Sequence, residues 1–150
     1  MPIGELCNRE VVFTLRKTTV VEAAQLMRRY HVGDLVVVDE IDGRRVPVGI
    51  VTDRDIVTEV VARVCPAEGC SVENIMHTPL VTVQENDGVI ATIQLMRVHG
   101  VRRVPVVGKA GELIGIVSVD DLLELLAEEL AELAKVAPRQ QAREVRNRIG

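Results

Sequence analysis

The chain has 150 residues and close to half of them are apolar, so it can bury a real core as one domain or as two small intertwined halves. Phe13 and Tyr30 are the only aromatic residues, which makes that core aliphatic and argues against single-stranded nucleic-acid binding by base stacking. A net charge of −4 speaks against a general polyanion binder while leaving room for a small anion held locally.

No apolar run approaches the roughly 18 residues that a membrane helix needs. The opening "MPIGELCNRE" has neither a basic n-region nor a long apolar h-region, so the expected compartment is the cytoplasm, with no membrane partner. Three cysteines, Cys7, Cys65 and Cys70, are an odd number, and "CPAEGC" is not C-x-x-C. Free thiols are the expectation for a reducing compartment, with a Cys65–Cys70 redox pair as the sharper alternative.

Read in chain order, a short apolar lead-in (Ile3–Cys7) precedes an extended stretch, "VVFTL". An amphipathic helix then opens at Thr19, with Glu22 three places on completing a capping box. Val20, Ala23, Ala24 and Met27 form its apolar face. "DLVVVD" and "VPVGIVT" read as two strands joined by the turn "IDGR", an antiparallel hairpin. A second helix begins at Thr52 and runs through "DRDIVTEVVARV".

The same series follows again. The lead-in is Val72–Met76, the extended stretch is "LVTV", and the helix is capped by Asn86 or Asp87 and closed by a left-handed Gly100. "RRVPVV", the turn "KAGE" and "LIGIVS" make the second hairpin, and a last helix runs from Ser118 to Pro138. "QLMR" recurs at an offset of 69 residues and "GIV" at 66, the difference falling in the hairpin turn. The chain is therefore one β-α-β-β-α unit written twice: residues 1–70, residues 71–137, and a polar, basic tail, 138–150.

"MRRYHVGDLVVVD…GIVTDRDI" and "MRVHGVRRVPVV…GIVSVDDL" resemble the CBS domain, and the tandem resembles a CBS pair, or Bateman module. The likeness covers residues 1–137 and departs at Val36, where the family usually has Pro, as at Pro105. It implies an α+β fold of two repeats packed about a pseudo-two-fold axis, and a homodimer.

The repeated "GIVTDRDI" and "GIVSVDDL" carry the candidate chemistry. A helix that starts at a hydroxyl offers free N–H groups and a positive dipole end to an anion. Three residues on, a carboxylate lies on the same face and can accept two hydrogen bonds from a diol. Thr52 with Asp55, and Ser118 with Asp121, thus suit a nucleoside phosphate; the same spacing is also an ordinary capping box. The resemblance implies that Asp55 and Asp121 contact ribose and that Thr52 and Ser118 contact phosphate. Arg54 and Arg103 are further phosphate candidates. An apolar slot for a purine would come from Val12, Thr14, Val32, Gly33 and Asp34 in the first half. Its counterpart in the second half is Val81, Val83, Val101 and Arg102. The resemblance places the base there.

The two sites differ in their flanking charges and are expected to differ in affinity. No spacing suggests a metal site, a nucleophile with its base or a P-loop, so no catalysis is expected. Leu123, Leu126, Leu130 and Leu133 form a narrow seam on the last helix, suited to covering the module or to pairing with a second copy. The functional expectation is a stand-alone sensor for AMP, ADP, ATP or S-adenosylmethionine, acting on an effector protein carried by another polypeptide. The alternative is a ligand-free structural dimerisation or interaction module.

Overall fold

The computed structural model describes residues 1–149. Residues 1–117 form one compact unit, and the residues from Ser118 onward form a second. The first unit holds two three-stranded sheets, β1-β2-β3 and β4-β5-β6, so the chain is α+β as its sequence implies.

In the first repeat, α1 (Ile3–Leu6) precedes β1 (Phe13–Leu15), α2 (Val20–Tyr30), β2 (Asp34–Ile41) and β3 (Arg44–Thr52). Thr19 and Glu22 form the expected capping box, each side chain bonded to the other residue's backbone N–H. β1 runs parallel to β2, and β2 antiparallel to β3 through a two-residue turn. Asp42 and Gly43 both have positive φ there, the conformation that Asp-Gly favours in a tight hairpin. β2 is the central strand and Leu35 through Val38 are all fully buried, which explains a continuous apolar run in place of alternation.

The helix after β3 departs from expectation. Asp53–Asp55 form one α-turn, α3, and Ile56–Val61 widen into a π-helix. Its N–H groups reach five residues back, Ala62 to Val57 and Cys65 to Val60. Ile56, Val57, Thr58, Val60 and Val61 are all branched at Cβ.

The second repeat gives β4 (Val83–Gln84), α4 (Val89–His99), β5 (Arg103–Val107) and β6 (Leu113–Ser118). Here too β4 and β5 are parallel. Gly100 closes α4 in the left-handed conformation, as expected. The cap at its start does not fall on Asn86 or Asp87. Gly88 is the capping residue and has no side chain to bond with, while the Asp87 carboxylate accepts the Gln84 N–H in the preceding turn. Likewise Pro138 does not end the last helix. α5 (Val119–Ala134) stops earlier, and Pro138 lies in the first turn of α6 (Val136–Ile149), where its missing N–H costs nothing.

The lead-ins are exchanged between the repeats. The first packs on the second repeat: Ile3 N–H donates to Asp87 O, Gly4 N–H to Glu85 O, and Asn8 and Ile116 exchange a pair of 2.9 Å bonds. The second packs on the first repeat: Val72 N–H donates to Thr18 O and, just after the lead-in, His77 N–H donates to Ile50 O. Val72 is buried in the same cluster as Ala23, Met27, Leu35, Val37 and Val51.

This exchange explains the glycine that opens both "GIV" stretches. A Cβ on Gly115 would stand 2.6 Å from Cys7 Sγ and 2.7 Å from Asn8 O; one on Gly49 would stand 2.6 Å from Met76 Sδ. Cys7 and Met76 are equivalent lead-in positions, so each glycine clears room for the other repeat's segment. Gly115→Ala meets backbone and should destabilise by about 2–3 kcal/mol. Gly49→Ala meets the flexible end of Met76 and should cost about 1 kcal/mol, both read from urea unfolding midpoints.

Arg16 grips Asp39 with two bonds, Nε to Oδ1 at 2.8 Å and Nη2 to Oδ2 at 3.0 Å. The hydrogen-bonded guanidinium holds the Asp39 carboxyl below its ordinary pKa. A carboxyl so lowered adds stability that is present above its unfolded-state pKa and lost as pH falls through the folded value. Arg16→Met should therefore flatten the loss of stability below about pH 4, measured by urea denaturation over an acid pH series.

Candidate functional site

The first site is assembled at one end of the β1-β2-β3 sheet. Val12 lies just before β1, Asp34 opens β2, and Thr52 closes β3 as the direct partner of Asp34. Val12 O accepts the Val36 N–H, which fixes the entry of β1 beside Gly33 and Asp34. Gly33 O accepts the Asp53 N–H at 2.9 Å, and a Cβ on Gly33 would lie 3.1 Å from the Asp53 carboxylate. The strand entry and the helix start therefore touch. Five of the expected residues, Val12, Gly33, Asp34, Thr52 and Asp55, converge here, and Val32 is tied alongside by its N–H to Met27 O.

Thr52 and Asp55 form a complete capping box. Asp55 N–H donates to Thr52 Oγ1 at 3.1 Å and Thr52 N–H donates to Asp55 Oδ2 at 2.8 Å. The other carboxylate oxygen, Oδ1, is 2.7 Å from His77 Nε2. The Asp55 side chain is only 9% exposed and that of His77 is 72% exposed, so the imidazole sits as a cover over a buried carboxylate. Sequence reasoning gave His77 no role. It lies 22 residues from Asp55 and reaches it only because the second lead-in crosses to the first repeat.

Arg103 also belongs to this cluster rather than to a bare phosphate site. Its Nε lies 3.0 Å from Asp34 Oδ1. Burial pushes the Asp34 carboxyl above its ordinary pKa, Arg103 pulls it back in part, and the nearby Asp53 carboxylate adds to the rise. An anion at this end of the sheet would compete with Asp34 for the guanidinium. Arg54 is exposed on the α3 turn. Thr14 is buried in β1 and lines a hollow of about 540 Å³ with Thr18, Glu22 and Arg29.

In the second repeat, Val81 lies just before β4, Val83 opens it, and Val101 and Arg102 precede β5. Val101 N–H donates to Met96 O, repeating the bond that Val32 makes to Met27. Within the C-terminal unit, Ser118 caps α5. Asp121 N–H donates to Ser118 Oγ at 3.1 Å, and both Ser118 N–H and Oγ–H donate to Asp121 Oδ2 at 2.8 Å. The two boxes are alike in backbone geometry.

The three thiols are free. Cys7 is buried, and that burial pushes its pKa up. Cys65 and Cys70 both border a hollow of about 370 Å³. Among the described residues, no group of three or more His, Cys, Asp or Glu is placed to hold a metal ion, and no helix is long and apolar enough to cross a membrane.

Comparison with known proteins agrees with this architecture. The family model for the CBS domain matches twice, over residues 3–62 and 72–128. An uncharacterized protein of Methanopyrus kandleri is 37% identical over 82% of this chain, which spans 61% of that relative's length. The crystal structure of an uncharacterized conserved protein from Pyrococcus horikoshii superposes with a TM-score of 0.71 at 31% identity, covering 83% of this chain and 90% of that one. The CBS domain pair of protein MJ0100, solved with 5′-methylthioadenosine and S-adenosyl-L-methionine, shares the fold at a TM-score of 0.74 and 23% identity, over 86% of this chain and 98% of that one. With two copies of the motif matched across most of its length, the chain belongs to the CBS-domain family.

Proposed function

We propose that this CBS pair is a cytoplasmic regulatory module that binds an adenine nucleotide or an adenosyl ligand, with repeats spanning residues 1–70 and 71–137. The observation that carries the reading is the convergence of Thr52, Asp55, Gly33, Asp34 and Arg103 at one end of a sheet. A capped helix start, a buried carboxylate and a guanidinium are the groups that a sugar attached to an anion requires. The MJ0100 pair, holding two adenosyl compounds, is a precedent at the level of the fold.

In this reading Asp55 receives the ribose hydroxyls on Oδ1, and His77 gives way to them. Thr52, Arg54 and Arg103 serve the phosphate or other charged group, and Val12, Val32 and Gly33 line the base. Within the C-terminal unit Ser118 and Asp121 offer the same hydroxyl and carboxylate, and within the first unit Val81, Val83, Val101 and Arg102 are the second repeat's counterparts of the base-lining residues. The chain's own residues bind and orient without catalysing. Ligand that favours one arrangement of a homodimer shifts the population of that arrangement, and an effector protein reads it.

One observation favours the ligand-free scaffold instead: both capping carboxylates already have partners, and no buried side-chain polar atom among the described residues lacks one. Calorimetric titration with AMP, ADP, ATP and S-adenosylmethionine separates the two readings. The sensor reading predicts that at least one of them binds and that Asp55→Ala weakens the first site by about 10- to 100-fold, as expected for losing hydrogen bonds to a charged group. Asp121→Ala should do the same at the second site, and His77→Ala should tighten the first by uncovering Oδ1. Absence of heat with all four compounds, in wild type and in His77→Ala alike, would establish the scaffold reading.

A further inference from the structure

The connection between the repeats carries two thiols that ligand binding does not use. "CPAEGC" spans residues 65–70, between the π-helix of the first repeat and the lead-in of the second. The turn after the π-helix ends on Val64, whose φ of 56° lies in the left-handed region that a β-branched side chain avoids. Cys65 follows directly, and its N–H still bonds back to Val60 O at 3.0 Å. The chain then turns on itself. Gly69 N–H donates to Pro66 O at 3.1 Å, and Cys70 N–H donates to Ala67 O at 3.4 Å. A turn closed this way brings its first and fourth Cα atoms within about 7 Å. Cys65 stands just before that closure and Cys70 just after it, and both border the same hollow of about 370 Å³. Cys70 is held in place because its carbonyl accepts the Val20 N–H at the start of α2.

Exposure sets the order of reaction. Cys65 is exposed and Cys70 half-buried, whereas Cys7 is buried with its Sγ–H donated to Gly4 O at 3.4 Å. Thiol–disulfide exchange starts from an accessible thiolate, so Cys65 is the attacking sulfur and Cys70 the resolving one. Glu59 and Arg63 also line the hollow, which gives a charged peptide disulfide a polar approach. We propose that Cys65 and Cys70 are a reversible modification site, a dithiol that a low-molecular-weight disulfide of the glutathione class converts to an intramolecular disulfide. The Cys65 thiolate attacks one sulfur of the small disulfide, forms a mixed disulfide and expels the first small thiolate. The Cys70 thiolate then attacks Cys65 Sγ and expels the second. Two protein thiols are oxidised, one small disulfide is reduced to two thiols, and the two protons pass to those thiols. The new bond ties the end of the π-helix segment to the residue that anchors α2, so oxidation stiffens the link between the repeats.

The inference goes beyond the ligand reading and does not depend on it. The folded full-length chain is treated with oxidised glutathione, and its thiols are mapped by alkylation and peptide mass spectrometry, with Cys7 as an internal control. Wild type should lose two hydrogen atoms and gain a Cys65–Cys70 link, and alkylation after unfolding should then find Cys7 alone. Excess reduced glutathione should restore both thiols. In Cys70→Ser, which lacks the resolving sulfur, glutathione should remain bound to Cys65 at a level about tenfold above that in wild type. The urea unfolding midpoint should rise on oxidation of wild type and stay unchanged on the same treatment of Cys70→Ser. The mapping of wild type stands whether or not the variant folds. The proposal is overturned by glutathione that persists on Cys65 in wild type, by Cys65–Cys65 links between copies, by Cys7 reacting as fast as the pair, or by no reaction at all.

Discussion

The structure of the first 117 residues depends on one reciprocal contact, in which each repeat lends its lead-in to the other. Gly49 and Gly115 make the contact possible by leaving room where any Cβ would strike the visiting segment. Neither repeat completes its own core: Val72 fills the cavity under α2 and β2, and Ile3 is buried where its N–H meets Asp87 O. A repeat of some 60 residues is small for an independent core, and sharing segments lets two of them bury what neither could bury alone.

The same exchange shapes the candidate site. Asp55 is placed by its own helix start, but the group covering it, His77, arrives on the lead-in of the other repeat. Arg103 likewise comes from the second repeat to meet Asp34 in the first. A site built from both repeats responds to their arrangement, which is the physical requirement for a ligand to bias one arrangement over another. At Asp34, burial raises the carboxyl pKa and the Arg103 guanidinium opposes that rise, so a partly buried charge there is balanced from the other repeat.

Much of this was legible in the sequence because it is local. The two capping boxes at Thr52 and Ser118, the box at Thr19, the Asp42–Gly43 hairpin and the left-handed Gly100 follow from residues within four places of each other. Duplication then gave the fold class, since two β-α-β-β-α units can bury their faces only against each other. What spacing does not carry is the exchange. His77 and Asp55 are far apart in sequence and no period links them, and Arg103 looks like a free surface cation until Asp34 is placed beside it. The π-helix after Asp55 was hidden because a short apolar run with helical spacing does not distinguish bonds to the fifth residue back from bonds to the fourth.

The central claim is that the exchanged segments bind the two repeats into one cooperative structure. Native-state amide hydrogen exchange tests it most directly, at Asn8 and Ile116 on one side and at Val72 and His77 on the other. Shared segments require all four amides to open with a single free energy equal to that of global unfolding. If Asn8 and Ile116 exchange through a cheaper opening while Val72 and His77 stay protected, the repeats are separable bodies and the account fails.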